Sequence, residues 1–414
     1  MKKVAFVNIL FLLFLNAFSQ ETTNDSLRKD ALRLFIDCDY CDLDYVRKEI
    51  TWVNYVRDFK EAQVHLLVST QNTGSGGNEY TLTFYGKNEF EGLNDTLTVS
   101  SKSDATSDEL REMLTTYLKL GLTRYAAKTP LAEYISIEFT KESEAQEVND
   151  PWNSWVFNIY ASGYLNGQES YKSLNYNGSV SANRVTEKYK FETDISTYYS
   201  ESTYQISDTV SYFSSSKSNS ASFLGVKSLT DHWSAGGDAN IYSSTYSNTR
   251  LIYGLSPTVE YNLFKYSEST RKQLRFQYSV GYSYHYYNDT TIFNKIEEGL
   301  VSHNMGVAAE FKQKWGSLSS SASYSQYLHD LELNSLNLYG SVNVRIIKGL
   351  SFYAYFSVSL IHNQLSLPKQ DATTEEILLQ KRQLSTQYSY YGNIGLTYTF
   401  GSIYNNVVNP RFGG

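Results

Sequence analysis

Leu336-Asn-Leu-Tyr-Gly-Ser-Val-Asn-Val-Arg-Ile346 alternates through eleven positions: Leu336, Leu338, Val342, Val344 and Ile346 fall on one face, and Asn337, Tyr339, Ser341, Asn343 and Arg345 on the other. Side chains of a strand alternate with period two, so this run writes a strand with one apolar and one polar side. A soluble sandwich alternates too, but its strands commonly run about five or six residues, whereas a tilted strand crossing a bilayer needs about 9 to 11. The length favours the membrane.

Working outward, about a dozen such stretches separated by polar turns fill the chain from Trp155 to Phe400. In the first, Trp155, Phe157, Ile159, Ala161 and Leu165 oppose Asn158, Tyr160, Ser162 and Tyr164. Twelve strands are predicted, at 155–165, 172–184, 188–200, 209–227, 231–245, 249–265, 272–287, 301–314, 317–328, 333–346, 351–363 and 388–400. The fold class is therefore mainly β, an antiparallel transmembrane β-barrel, in which an even strand number brings both ends to one side. Mean hydropathy is only -0.41, because a barrel hides its hydrophobicity in every second residue. Of 37 Tyr, 29 lie after residue 150, as aromatic girdles require, and serine is dense at 214–222 and 317–325, as suits a watered lumen.

Residues 1–19 read as a signal peptide. Lys2 and Lys3 precede an apolar core from Ala5 to Leu15, and Ala17-Phe18-Ser19 sets small residues at the positions a signal peptidase reads. Export together with a barrel points to the cell outer membrane, with outer-membrane lipid and the barrel-assembly machinery as partners.

Charge divides the rest of the chain in two. Residues 20–150 carry 14 Lys and Arg against 24 Asp and Glu, a net of -10, while residues 151–414 carry 20 against 19, a net of +1. Residues 142–153, polar and containing Pro151, read as a linker between a domain at 20–141 and the barrel at 154–414. With no basic stripe, nucleic acid is not an expected partner. The acidic part reads as a small α/β domain: strands at 32–37 and 64–70, helical turns at 43–50, a hairpin of 80–84 with 96–100, and a major helix over 104–129. In that helix Ser107, Asp108 and Glu109 supply capping chemistry, and Leu110, Leu114, Leu118 and Leu122 recur at helical spacing. The domain is expected in the periplasm, where it would meet a periplasmic protein partner.

The run from Asn54 to Val68, with Arg57-Asp58 followed by Ala62-Gln-Val-His65, resembles the periplasmic α/β domains at the front of TolB-like and curli-secretion-lipoprotein-like proteins. The run from Asn393 to Phe400 is similar to the closing strand of Bacteroidota-type outer-membrane β-barrel proteins, in which an aromatic-ended last strand is what the assembly machinery recognises. This chain departs from that pattern by continuing from Gly401 to Gly414. The resemblance implies location and fold and names no substrate.

On the polar face of the predicted strands stand Lys190, Glu192, Asp194, Asp238, Glu260, Arg275, Glu310, Lys312 and Arg345. Charges inside a barrel must be watered or paired, so these form either a salt-bridge lattice bracing a closed barrel or a charged eyelet that sorts solutes by sign. The longest connection, 364–387, carries Glu375, Glu376, Lys381 and Arg382 and either folds inward or stands out as a receptor surface.

Three readings of Cys38-Asp-Tyr-Cys41 stay open. A structural disulfide or unpaired thiols suit an exported chain with two cysteines, a metal site would need further ligands, and disulfide exchange is opposed by the flanking acids Asp37, Asp39 and Asp42, which raise thiol pKa. Gly74-Ser-Gly-Gly77 lacks the Lys-Ser/Thr of a phosphate loop and reads as a turn. No cofactor or metal motif is present. A catalytic reading would pair a serine with His232, His285, His303, His329 or His362 on the lipid-facing wall, and abundant serine makes such proximity a matter of chance. The expected function is a narrow channel for small polar or charged solutes. The alternative is a non-conducting anchor that holds the acidic domain at the membrane.

Overall fold

The computed structural model describes residues 31–74, 76–137, 150–207, 209–370 and 381–402, and of the last twelve residues 404, 406, 408, 409 and 411. The signal peptide at 1–19, most of the linker at 142–153, and Glu375 and Glu376 lie outside the described residues.

The N-terminal unit is a five-stranded sheet in the order β2-β1-β3-β4-β5, formed by Leu32–Asp37 (β1), Val53–Tyr55 (β2), Val64–Asn72 (β3), Asn78–Gly86 (β4) and Asn94–Ser100 (β5). The first three strands are parallel, and β3, β4 and β5 are joined antiparallel. Two helices join them, Leu43–Glu49 (α1) and Ser107–Ala126 (α2). Leu114, Leu118 and Leu122 recur every four residues, so α2 turns one apolar stripe onto Leu34, Leu66, Leu82 and Phe84, and all seven are buried. Gly121 makes the contact close: a Cβ there would lie 2.1 Å from the Phe84 ring. The helix is capped one residue earlier than expected. Thr106 accepts from the Glu109 amide at 3.2 Å while the Glu109 carboxylate accepts from the Thr106 amide at 2.8 Å, because Thr106 is extended and frees its side chain to turn inward.

The remainder is a twelve-stranded antiparallel meander: Trp155–Gln168 (β6), Tyr171–Val185 (β7), Tyr189–Ser207 (β8), Val210–Ser228 (β9), Trp233–Ser244 (β10), Thr249–Asn262 (β11), Lys272–Tyr287 (β12), Glu297–Gln313 (β13), Gly316–Tyr327 (β14), Asn334–Ile347 (β15), Leu350–Ile361 (β16) and Tyr388–Tyr398 (β17). Each strand pairs with its sequence neighbour. The register carries one row from Ile159 through Val180, Ile195, Ala221 and Ile241 to Tyr253 and Tyr284, and the alternate row from Asn158 through Ser181, Asp194, Ser222 and Asn240 to Gly254 and Ser283. The sheet thus has an apolar and a polar side. The apolar side carries polar groups that satisfy one another, as where Thr197 donates to Asn219 at 2.9 Å and Asn219 to Ser243 at 3.2 Å.

The expected closed barrel is corrected in one respect. The ladder runs from β6 to β17, and among the described residues these two strands do not pair with each other. Both faces of each edge strand are largely exposed, with Ile159 and Tyr390 the extremes at 82% and 78%. Alternation decides which side chains share a face; it carries no term for whether the last strand finds the first.

At one end, β7/β8, β9/β10, β13/β14 and β15/β16 are joined by turns of two to four residues and β11/β12 by 263–271; at the other, among shorter connections, lie the β12/β13 loop, 288–296, and the longest, β16/β17, 362–387. We call these the turn end and the loop end.

Candidate functional site

All nine charged positions named from the sequence fall on the polar side, because each shares a register row with its serines and asparagines. Six pair among themselves: Lys190 with Glu192 at 2.9 Å, Arg275 with Glu260 at 3.8 Å and Lys312 with Glu310 at 3.8 Å. Glu260 also accepts from Tyr266 at 2.8 Å. Asp194 and Asp238 enter no ion pair among the described residues. A cavity of about 950 Å³ spans the polar side from β8 to β14, lined by Lys190, Asp238, Glu260, Arg275, Gln277 and Asn304 among others.

Arg345 pairs outside the sheet. It donates two 2.7 Å hydrogen bonds to the carboxylate of Asp37, at the end of β1, and its guanidinium lies 5.0 Å from the Phe35 ring centroid. Neighbouring contacts fix the N-terminal unit against the turn end. Gly349 donates to Asp58 at 2.7 Å, Lys348 pairs with Glu61, and the Lys314 ammonium lies 3.9 Å from the Tyr85 ring centroid. Beyond the last strand, Tyr404 bridges Val56, and Asn406 accepts from the Tyr55 amide at 2.6 Å. On the far side of the turn end, the space beside Gly74 is filled by Val185. The acidic domain is therefore seated on the end of the sheet rather than tethered beside it.

Behind Asp37 sits His65, fully buried among Phe35, Phe59 and Tyr85, with neither ring nitrogen in a hydrogen bond. Its Nε2 lies 3.6 Å from the Asp37 carboxylate, an electrostatic contact rather than a hydrogen bond. Burial pushes the His65 pKa down, against the opposing pull of Asp37. Burial acts to raise the Asp37 pKa, but His65 and the doubly bonded Arg345 outweigh it and hold the carboxyl at about 2. Cys38 and Cys41, the next cysteines along, form a disulfide. The described residues offer no cluster of ligands for a metal there. Gly74 and Gly77 flank the β3/β4 turn, where Thr73 donates to the Gly77 carbonyl at 2.9 Å.

At the loop end the described parts of the β16/β17 connection, 362–370 and 381–387, fold inward over their neighbours. Pro368 bridges Thr291, Ile292 donates to the Leu367 carbonyl at 2.9 Å, and Lys369 to the Thr290 carbonyl at 2.8 Å. Leu365 packs with Leu300 and Leu333 in a small buried cluster. Asn248, in the left-handed region at φ +54°, ties three connections together. Its amide donates to the carbonyls of Asp289 at 2.9 Å and Ser366 at 2.8 Å, and its oxygen accepts from the Asp289 amide at 2.7 Å. Lys381 and Arg382 lie in the same connection, and Arg382 donates to the Gln370 carbonyl at 2.7 Å.

The five histidines of the sheet occupy unlike surroundings. His285 Nε2 is 2.8 Å from Ser283 Oγ, but both stand on the polar side, opposite the lipid-facing wall that the catalytic reading requires. His303 is on the apolar side and bonds Gln326 at 3.0 Å. His232 bonds the Asn262 carbonyl at 2.8 Å, His362 lies 3.4 Å from Asn334, and His329 meets the Tyr327 ring. Sequence reasoning places Asp58 and Glu61 only within the run from Asn54 to Val68, takes Asp37 only as the end of a strand and a neighbour of the cysteines, and does not name Asn248. An Asn at a turn is the one signal that points to Asn248.

No family model matches the chain, and no curated protein matches it. Among solved structures, the NanC porin is similar over 58% of this chain and 98% of its own, at 10% identity and a TM-score of 0.27. The translocator domain of the autotransporter NalP from Neisseria meningitidis is similar over 59% of this chain and 81% of its own, at 12% identity and a TM-score of 0.20.

Proposed function

We propose that this chain is an outer-membrane β-barrel whose lumen is closed at rest and which anchors an acidic α/β domain at the periplasmic mouth, where that domain binds an envelope or secretion partner. The apolar side faces lipid and the polar side the lumen, as long alternating strands require. One observation carries the anchoring role: Arg345, a lumenal charge that an eyelet would need, is bound at both nitrogens by Asp37 of the domain. The inward-folded β16/β17 connection supports closure from the other end.

A narrow channel for small polar or charged solutes is the second reading, favoured by the 950 Å³ cavity and its charged lining. Planar-bilayer conductance of the mature chain, beside one that begins at Pro151, separates the two. Silence in both supports the anchor. Steady current in both, with ion selectivity that changes in Arg275→Gln, supports the channel, and current in the shorter chain alone makes the domain a gate.

A further inference from the structure

We propose that the apolar side of β8, β9 and β10 carries a binding site for a phosphorylated lipid, with one acyl chain lying along β9 and the phosphate on Lys217. The inference rests on the outer-membrane reading above, in which this side faces the bilayer, and names the class of lipid held there. Along β9 the apolar side presents Phe223, Ala221, Asn219 and Lys217 in turn. Ala221 stands between its register partners, Ile195 of β8 and Ile241 of β10. A methyl group flanked by two large side chains leaves a furrow. A groove of about 470 Å³ lies there, bordered also by Gly178 of β7 and ending on Thr197, Asn219 and Ser243.

Hydrocarbon asks for nothing polar beside it, and an unpaired amide in such surroundings is costly. Asn219 nevertheless stands at the end of the furrow, accepting from Thr197 and donating to Ser243. Its second N–H meets no acceptor among the described residues. One row further toward the loop end, Lys217 is exposed and forms no ion pair among the described residues. That row lies at an interface: Lys217 is the register partner of Tyr199, whose ring stacks on Tyr176 with 5.1 Å between centroids. At the turn end Tyr189 stacks on Phe191, and the run from Tyr189 to Tyr199 has the roughly 9 to 11 residues that a tilted strand needs to cross the hydrocarbon. The two aromatic pairs thus mark the two interfaces, with Lys217 at the outer one. Glu201, one row beyond, accepts from the Tyr199 hydroxyl at 2.8 Å. Apolar furrow, amide donor and cation follow one another in the order of acyl chain, acyl carbonyl and phosphate. Glycerophospholipids and acylated, phosphorylated glucosamine lipids share that order.

The test compares the mature chain with its Lys217→Gln, Ala221→Phe and Lys227→Gln variants in mild detergent. Each is mixed with phosphatidylglycerol, an acylated glucosamine phosphate lipid and phosphate-free diacylglycerol, and the lipid retained is read by native mass spectrometry. The parent should retain a phosphorylated lipid about fivefold more than diacylglycerol, the worth of one lysine at a charged surface, and Lys217→Gln should lose that preference. Ala221→Phe fills the furrow and should lower retention of all three lipids. Lys227, the register partner of Tyr189, is a cation on the same side at the turn end, and Lys227→Gln should change nothing. Whichever phosphorylated lipid is preferred identifies the source. A parent without preference for phosphate, a preference that survives Lys217→Gln, or undiminished retention in Ala221→Phe overturns the proposal. A chain that does not insert into lipid vesicles overturns the outer-membrane reading and the site with it, whereas insertion without preference overturns the site alone.

Discussion

Asp37 and Arg345 stand 308 residues apart in the chain and meet through two 2.7 Å hydrogen bonds, one carboxylate oxygen to each terminal nitrogen. The pair joins the last residue of β1 to the polar side of β15. Each partner is about four-fifths shielded from solvent, so its worth exceeds that of an exposed ion pair. Arg345→Ala leaves Asp37 shielded without a cation. We expect thermal unfolding of the domain in detergent to show a loss of about 1–3 kcal/mol, with Asp37→Asn adding little to Arg345→Ala in a double-mutant cycle. Full additivity of the two would show that they do not interact.

Acid should act on this junction in two stages. The folded His65 has a pKa below its ordinary 6.5, so as pH falls through that value the unfolded chain gains a proton first and stability drops. The folded Asp37 has a pKa of about 2 against 3.8; its contribution, about 2 kcal/mol, is complete above pH 3.8 and lost as pH falls toward 2. Asp37, Arg345 and Lys87 are the charges acting on His65. His65→Phe should flatten the upper stage and shrink the lower one, because Arg345 alone is then left to hold the Asp37 carboxyl down. Unfolding midpoints between pH 7 and pH 3 measure both, and an unaltered upper stage in the variant would exclude His65 as its source.

Loosening the loop end should require a single residue. Asn248→Ala removes three hydrogen bonds between connections and puts a Cβ-bearing residue with no side-chain amide at φ +54°, a change worth about 2–4 kcal/mol. Trypsin should then cut after Lys369 faster than in the parent, and a channel closed by this connection should begin to conduct. Equal cleavage rates would show the connection to be held by its other contacts alone.

The close approach of α2 to β4 gives a volume test. Gly121→Ala places a methyl group 2.1 Å from the Phe84 ring, and overpacking of this kind costs about 1–3 kcal/mol. Pairing it with Phe84→Leu should recover most of the loss in domain unfolding. If the double variant is no better than Gly121→Ala alone, the ring is not what the methyl group meets.

The sheet was legible because its period is short and repeated. Twelve strands were predicted and twelve are present, with Lys272–Tyr287 matching at both ends, since each alternating run carries its own evidence. β1 was equally plain, whereas β2, three residues long, is too brief to show any period. Closure was not legible: strand count and alternation are local, and pairing of β6 with β17 is a property of the whole ladder. The junction was hidden for a similar reason. Asp37 and Arg345 were both visible as charges, but no spacing links residues so distant, and the nine polar-side positions looked alike until Arg345 proved to be the one bonded to the domain.

The pairing of Tyr404 with Val56 has a consequence in time. The α/β domain is synthesised before the sheet, so the edge of β2 stands without Tyr404 until residues beyond β17 have been made. An uncovered edge is a template for aggregation. Synthesis beyond β17 is thus also the event that brings a cover to that edge, and a chain cut short anywhere in the twelve strands would lack Tyr404 and leave it open.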